Sequence, residues 1–251
     1  MKGDESRMAK VVALLAFRDE AAYLPGFFAH LRDYVSEFIV LDDDSADSSL
    51  EIARSEPRTH VLRRESGRSF PDHFFEVDNR RTLLAAAHEH QAEWVLCCDA
   101  DERHEQTFLE QLHDLTGGSR EAFALRVRDL WDGCDQYRVD GFWGHKAKFV
   151  LFPSDAFTDY YASHALHTRW VPPGIPCRDE NTLDFNLYHL LSLRREDRLR
   201  RLEKFKAIDP ESKYQPKIGY DYLGDERGMR LEKIPPGRGF AILSEDSRLC
   251  P

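Results

Sequence analysis

The sequence predicts an α/β fold with a mostly parallel central sheet and helices on both of its faces. In the first half of the chain, short continuous apolar runs alternate with segments of helical periodicity. Two of these runs end abruptly in acidic clusters. The chain has 251 residues, of which 41% are hydrophobic and 32% charged, so it is long and apolar enough for one large core.

Four strands are predicted in this half. An apolar run without alternation is typical of a strand that is buried on both faces. The strands are expected at 11–17, 38–41, 60–62 and 94–98.

Helices are predicted between these strands. Pro25 suits a first helical turn, and Ser48 with Glu51 has the spacing of a capping box. Apolar residues recur at helical spacing around 83–87 and 108–112, and glycines at 117 and 118 end the last of these helices.

The second half of the chain is less regular. It contains predicted strands at 122–127 and 147–152, a charged amphipathic helix at 194–207, and an irregular tail with several prolines. We therefore expect two subdomains, one over residues 1–120 and one over residues 121–251.

Charge and composition exclude several classes of function. A formal net charge of −10 argues against broad nucleic-acid binding. No apolar run reaches the roughly 20 residues of a membrane span, and the first residues lack the apolar stretch of a signal peptide. The five cysteines show no zinc spacing, and free thiols in a cytoplasmic protein are expected.

The strand ends carry the predicted chemistry. The carboxyl ends of parallel strands lie at one edge of a sheet, where ligands bind in open α/β folds. Here they carry Arg18-Asp19-Glu20, Asp42-Asp43-Asp44 and Asp99-Ala100-Asp101-Glu102. Two carboxylates after a strand suit a hard divalent cation, which neutralises a diphosphate leaving group.

In this order and spacing, the three motifs and the runs before them resemble family 2 of the nucleotide-sugar glycosyltransferases, over roughly residues 9–116. The resemblance implies a GT-A fold, which is Rossmann-like. The sequence departs from the usual pattern at Asp19, Asp44 and Ala46, where the family has Asn, Gly and Thr.

The resemblance also implies roles for individual residues. Ala16 and Arg18 would line the nucleotide pocket, and Asp43 would accept a hydrogen bond from the base. Asp99 would face the ribose and phosphates and, with Asp101 and His189 of a late strand, bind Mn²⁺ or Mg²⁺. Glu20 would help to orient the loop of Asp99 and Asp101. Two alternatives stay open: Arg80 lies near the donor or is a solvated helix charge, and His189 binds the metal or is a structural hydrogen-bonding residue.

The acceptor side has no clear motif. Asp129, Asp132, Asp140, Asp179 and Glu180 are candidates for the base that deprotonates the acceptor. Asp140 is the first choice and Glu180 the second. His164, His167 and Trp170 are expected to shape the acceptor pocket. The arginines at 194–201 have two interpretations, as a phosphate-screening patch or as a solvated helix face.

The predicted function is metal-dependent, inverting transfer of a sugar from a nucleoside-diphosphate sugar, with UDP favoured, to a hydroxyl acceptor. The acceptor would be a sugar, a lipid-linked glycan or a small molecule. A catalytically silent GT-A domain used for binding is the alternative. A sugar-phosphate nucleotidyltransferase is disfavoured because no glycine-rich loop follows the first strand, and a haloacid-dehalogenase-type phosphatase because its D-x-D follows the first strand.

Overall fold

The computed structural model describes residues 8–65, 76–118, 120–154 and 169–250. These residues contain ten strands. They are β1 Val11–Phe17, β2 Glu37–Asp43, β3 Thr59–Arg64, β4 Trp94–Cys98, β5 Glu102–His104, β6 Phe123–Asp129, β7 Gln136–Arg138, β8 Ala147–Pro153, β9 Thr182–His189 and β10 Leu231–Lys233.

The same residues contain six α-helices. They are α1 Leu24–Leu31, α2 Ser49–Ser55, α3 Glu76–Glu89, α4 Gln106–Glu110, α5 Leu112–Thr116 and α6 Arg195–Ile208. Short 3₁₀ turns follow β7 and flank β9.

Eight strands form one sheet in the order β3-β2-β1-β4-β8-β6-β9-β5. The first four are parallel to one another. Strand β8 is antiparallel to both of its neighbours, β6 and β9 are parallel, and β5 closes the edge antiparallel to β9. The predicted fold class is confirmed, and the sheet continues across residue 120.

Strand β1 shows why a continuous apolar run predicts a doubly covered strand. Val11, Ala13 and Leu15 pack into one core on one side of the sheet. Val12 and Leu14 pack into a second core on the other side. Because both faces are covered, no polar alternation is tolerated.

Most of the predicted elements are present, with changes in detail. Pro25 lies in the first turn of α1 as expected. The capping box at α2 does not form, because the Ser48 side chain makes no cap hydrogen bond; the backbone N–H of Ser49 donates instead to Asp47 Oδ1 at 2.9 Å. The single helix expected around 108–112 is divided into α4 and α5.

The expectation of free cysteines is wrong for two of the five. Cys134 and Cys250 form a disulfide with their Cα atoms 5.5 Å apart. Cys97, Cys98 and Cys177 are free thiols. Disulfides persist mainly in oxidising compartments, so the pair counts against the reducing environment expected from the sequence.

Helices of membrane-spanning length and hydropathy are absent from the described residues.

Two histidines are buried without charge between α1 and β5. His30 Nε2 accepts the backbone N–H of His104 at 2.8 Å, and the two rings stack. Neither ring nitrogen of His104 has a hydrogen-bond partner in the described part of the chain. Burial, with the charges of Lys148 and Arg103, lowers the pKa of His104 to about 3.

We expect His104 to make the fold acid-sensitive. Because its pKa is lower in the folded state, the unfolded chain takes up a proton first, and stability falls as the pH drops below about 6.5. His104→Phe keeps the stacking on Phe108 and removes this titration. The free energy of unfolding is measured in urea at pH 7.5 and at pH 5. Between these pH values it should fall by about 2 kcal/mol less in the variant than in wild type. Equal losses would contradict this assignment.

Candidate active site

The three polar strand ends meet at one edge of the sheet, as the sequence predicts. Strand β1 lies between β2 and β4, and all three run parallel. Asp43 and Asp101 therefore follow strands two spacings apart, roughly 10 Å, which is within the reach of one nucleoside diphosphate.

The loops after β1 and β2 are joined by hydrogen bonds. The N–H of Ala46 donates to Asp19 Oδ1 at 2.7 Å, and the N–H of Glu20 donates to Ser49 Oγ at 2.8 Å. Asp19 and Asp44 both have left-handed backbones, with φ of 55° and 65°. Asn, Asp and Gly tolerate this conformation best, which explains why Asp replaces the Asn and Gly that are usual in the family.

Asp42 and Asp43 have different environments. Asp42 is fully buried and accepts the backbone N–H of Ser45 at 3.1 Å, so it holds the loop. Asp43 Oδ1 lies 3.8 Å from Arg64 Nε and accepts no hydrogen bond in the described part of the chain, although it is buried. Arg64 Nε instead donates to Asn79 Oδ1 at 2.9 Å. Asp43 Oδ1 can therefore accept a further hydrogen bond.

The turn at residues 99–102, called here the DxD turn, is organised by a lysine that the sequence analysis missed. Lys148 Nζ of β8 donates to Asp99 Oδ2 at 2.7 Å and to both Glu102 carboxylate oxygens at 2.7 and 2.8 Å. Glu102 Oε2 also accepts the backbone N–H of Asp99 at 2.9 Å. Burial alone would lower the pKa of Lys148, but the charges of Asp99 and Glu102 raise it above its usual value.

A second chain of contacts links Asp101 to β6 and β9. His189 Nε2 lies 2.8 Å from Asp101 Oδ2, and its Nδ1 lies 3.0 Å from Asp129 Oδ1. Asp129 is fully buried, is the register partner of His189, and pairs with Lys146. Burial opposes charge on the imidazole, but the two carboxylates raise the pKa of His189 to about 9.

Asp101 and His189 carry donor atoms that a divalent cation would use. In the structure these atoms are joined by a 2.8 Å hydrogen-bonded ion pair, and because the pKa of His189 is about 9, a cation would displace the proton on Nε2. Asp129 contacts the other ring nitrogen, as carboxylates commonly do at metal-bound histidines. Clusters of three or more metal-binding side chains are absent from the described residues. Mg²⁺ sites commonly use one or two carboxylates and complete the shell with phosphates and water.

Asp99 and Arg80 are linked electrostatically. Half of the Asp99 side chain is exposed, and its Oδ2 is held by Lys148. Burial acts to raise the pKa of Asp99, but Lys148 and, more weakly, Arg80 hold it below its usual value. Arg80 pairs with Glu76 and stacks 4.9 Å over the Trp170 ring.

The remaining predicted donor residues follow β1. Ala16 is half-buried opposite Leu41, and Arg18 Nε lies 3.8 Å from Asp19 Oδ2. Burial and the charge of Asp101 raise the pKa of Glu20 to about 8. Glu20 is therefore electrostatically linked to the DxD turn.

The structure shows the surroundings of both residues predicted as the catalytic base, and the role itself stays a prediction. Arg138 holds both carboxylate oxygens of Asp140 at 2.9 Å and, as the main cause, lowers its pKa, so Asp140 is a poor proton acceptor. Glu180 precedes β9, whereas His189 ends it. The strand alone spans roughly 23 Å, so Glu180 lies at the far end from the DxD turn. His164 and His167 lie outside the described residues.

Helix α6 is not simply a solvated charged surface. Arg198 is 2% exposed and stacks 3.8 Å over the Trp131 ring, while donating to Ser192 O at 2.7 Å. Arg201 lies one turn further along the helix. Burial acts to raise the pKa of Asp101, whereas the charge of His189 and, more weakly, that of Arg201 lower it. The helix is thus anchored by Arg198, and the charge of Arg201 acts on Asp101.

Residues 13–133 match the family profile described as Glycosyl transferase family 2. This part of the chain belongs to that family. The match covers β1 to β6 and the loop after it, including the DxD turn.

This chain matches less than half of the length of two of its relatives. A TPR repeat-containing protein of Synechococcus elongatus is 37% identical over 95 residues, which are 38% of this chain and 21% of the relative. Glucosyl-3-phosphoglycerate synthase from Mycobacterium tuberculosis, in complex with Mn²⁺, UDP and glucosyl-3-phosphoglycerate, has a TM-score of 0.36 at 18% identity. That match covers 48% of this chain and 44% of the synthase.

A further structural match is a 4-diphosphocytidyl-2C-methyl-D-erythritol synthase, with a TM-score of 0.41 and 15% identity. It covers 59% of this chain and 77% of that enzyme. Both structural likenesses have TM-scores below 0.5, so the family assignment depends on the sequence profile alone.

Proposed function

We propose that the protein is a metal-dependent, inverting glycosyltransferase that moves a sugar from a nucleoside-diphosphate sugar, with UDP favoured, to a hydroxyl acceptor. The main support is that Asp43 and the Asp101–His189 pair lie at one sheet edge, and that Asp43 and Asp101 belong to the segment that matches the family 2 profile. A single donor molecule can reach both sites, with its base at Asp43 and its diphosphate at the DxD turn.

In this proposal residues 1–120 bind the donor and 121–251 bind the acceptor. Asp101 and His189 would hold Mn²⁺ or Mg²⁺, and Asp99 would face the ribose and phosphates. A divalent cation bound there supplies charge neutralisation for the departing diphosphate. Lys148 keeps Asp99 ionised and holds both Asp99 and Glu102 in place, and the positive charge of Arg80 also favours the ionised form of Asp99.

The proposal is tested with wild-type protein. Hydrolysis of UDP-, GDP- and dTDP-sugars is measured with and without Mn²⁺, together with the thermal shift produced by each nucleoside diphosphate. We expect slow hydrolysis of one of these donors, and only in the presence of metal. The nucleoside diphosphate of that donor, at a concentration of 100 times its Kd, should raise the free energy of unfolding by about 2.7 kcal/mol. Binding without turnover would favour the silent binding domain, and neither binding nor turnover would overturn the proposal.

A further inference from the structure

The segment at residues 234–250, called here the C-terminal segment, folds back onto the strand that follows the DxD turn. Arg238 Nε lies 2.9 Å from Glu105 Oε1, and the N–H of Gln106 donates to Gly239 O at 2.9 Å. The segment therefore packs directly after β5, the last strand on one side of the sheet.

The contact with the largest consequence is a buried ion pair between Asp246 and Arg103. The two side chains are 1% and 0% exposed, and their atoms approach to 2.7 Å. Arg103 Nε also donates to the second Asp246 oxygen at 3.1 Å, so the pair is bidentate. Bidentate geometry fixes both the position and the plane of the guanidinium.

The rest of the guanidinium holds the DxD turn. Arg103 Nη1 donates to Ala100 O at 2.9 Å and to Glu102 O at 2.8 Å, and its Nη2 donates to Tyr23 O at 3.2 Å. With the two bonds to Asp246, these contacts use all five N–H donors of an arginine. Two carbonyls of the DxD turn are thus fixed through a side chain that Asp246 orients.

Two other features show that the fold is built around this contact. A Cβ placed on Gly26 in α1 would lie 1.9 Å from Asp246 Oδ1, so a residue with any side chain displaces the carboxylate. Four residues after Asp246, the Cys134–Cys250 disulfide ties the segment to the loop that follows β6. That strand carries Asp129, which supports His189.

We propose that Asp246 is a positioning residue for the donor site, acting through Arg103 on the backbone of the DxD turn, and that the disulfide keeps the segment docked. The inference rests on the proposed function, because the turn is taken to bind the metal and diphosphate. It predicts that residues more than 140 positions from the turn in sequence control donor affinity.

The test compares Asp246→Asn, Gly26→Ala and the double variant Cys134→Ser/Cys250→Ser with wild type. The Kd of UDP in the presence of Mn²⁺ is measured by calorimetry, and amide hydrogen exchange is followed at residues 99–103 without ligand. The control is Glu37→Gln, since Glu37 pairs with Lys10 and His90 at the opposite edge of the sheet.

Asp246→Asn and Gly26→Ala should raise this Kd about 10- to 100-fold and speed exchange across the turn, and the double serine variant should do so more weakly. Glu37→Gln should leave both unchanged even if it lowers the melting temperature. Unaltered Kd and exchange in folded Asp246→Asn and Gly26→Ala would overturn the inference. A wild-type protein that does not bind UDP or any other nucleoside diphosphate would overturn the proposed function and this inference with it.

Discussion

Asp101→Asn should abolish metal-dependent donor binding while the protein stays folded. The substitution keeps the size of the side chain but removes the charge that faces His189 Nε2 at 2.8 Å. A neutral amide is a poor ligand for a hard divalent cation, so Mn²⁺ affinity should fall at least about 100-fold. Loss of several kcal/mol of charge stabilisation at the diphosphate corresponds to a decrease in kcat/KM on the order of 10³-fold.

The measurements are the Mn²⁺-dependent thermal shift with the nucleotide and the rate of donor hydrolysis. Asp33→Asn is the matched control, because Asp33 is exposed and lies before β2, at the other edge of the sheet. It makes the same change in net charge. Equal shifts with metal and nucleotide in Asp101→Asn and wild type would show that this carboxylate does not bind the metal.

The donor side of the site can be predicted from the sequence because each strand and the polar residues after it are neighbours in the chain. Strands β1 and β4 are apolar along their whole length, β2 is apolar from Phe38 to Leu41, and all three lead into polar clusters. The alternation of elements therefore places those clusters at one edge of the sheet. Even the departures from the family pattern at Asp19 and Asp44 have a local cause, since both backbones are left-handed.

Strand β5 was missed because it contradicts the apolar pattern. It consists of Glu102, Arg103 and His104, and all three are buried. Charged residues are rarely buried unless paired, and here Lys148 and Asp246 supply the partners. Asp246 lies 143 positions from Arg103, in a stretch that reads as an irregular tail. Such long-range pairs are set by the packed fold, and one sequence gives no signal for them.

The catalytic base stays a prediction for a related reason. The sequence does not show that Arg138, two residues before Asp140, contacts both of its carboxylate oxygens. Nor does it show the direction of β9, which determines the position of Glu180.

Lys148→Met should produce the largest loss of stability of any substitution in the DxD turn and its surroundings. Lys148 is the ammonium that both Asp99 and Glu102 contact at 2.7 Å. Without it, a buried carboxylate at Glu102 and a half-exposed one at Asp99 repel each other. Removing one partner of a buried pair typically costs about 3–5 kcal/mol, and we expect a loss of that size at pH 8 in urea unfolding.

The loss should shrink at pH 5. Burial, with Asp99 as a like charge, already raises the pKa of Glu102 to about 7 in wild type, and loss of Lys148 raises it further. A group whose pKa is raised on folding adds stability below its unfolded pKa, and that stability is lost as the pH rises through the folded value. The free energy of unfolding of Lys148→Met should therefore be closest to that of wild type at acid pH. Lys148→Met/Glu102→Gln should recover much of the loss at pH 8, because the neutral amide needs no counter-ion. A pH-independent loss that Glu102→Gln does not relieve would show that Lys148 acts through packing and not through charge.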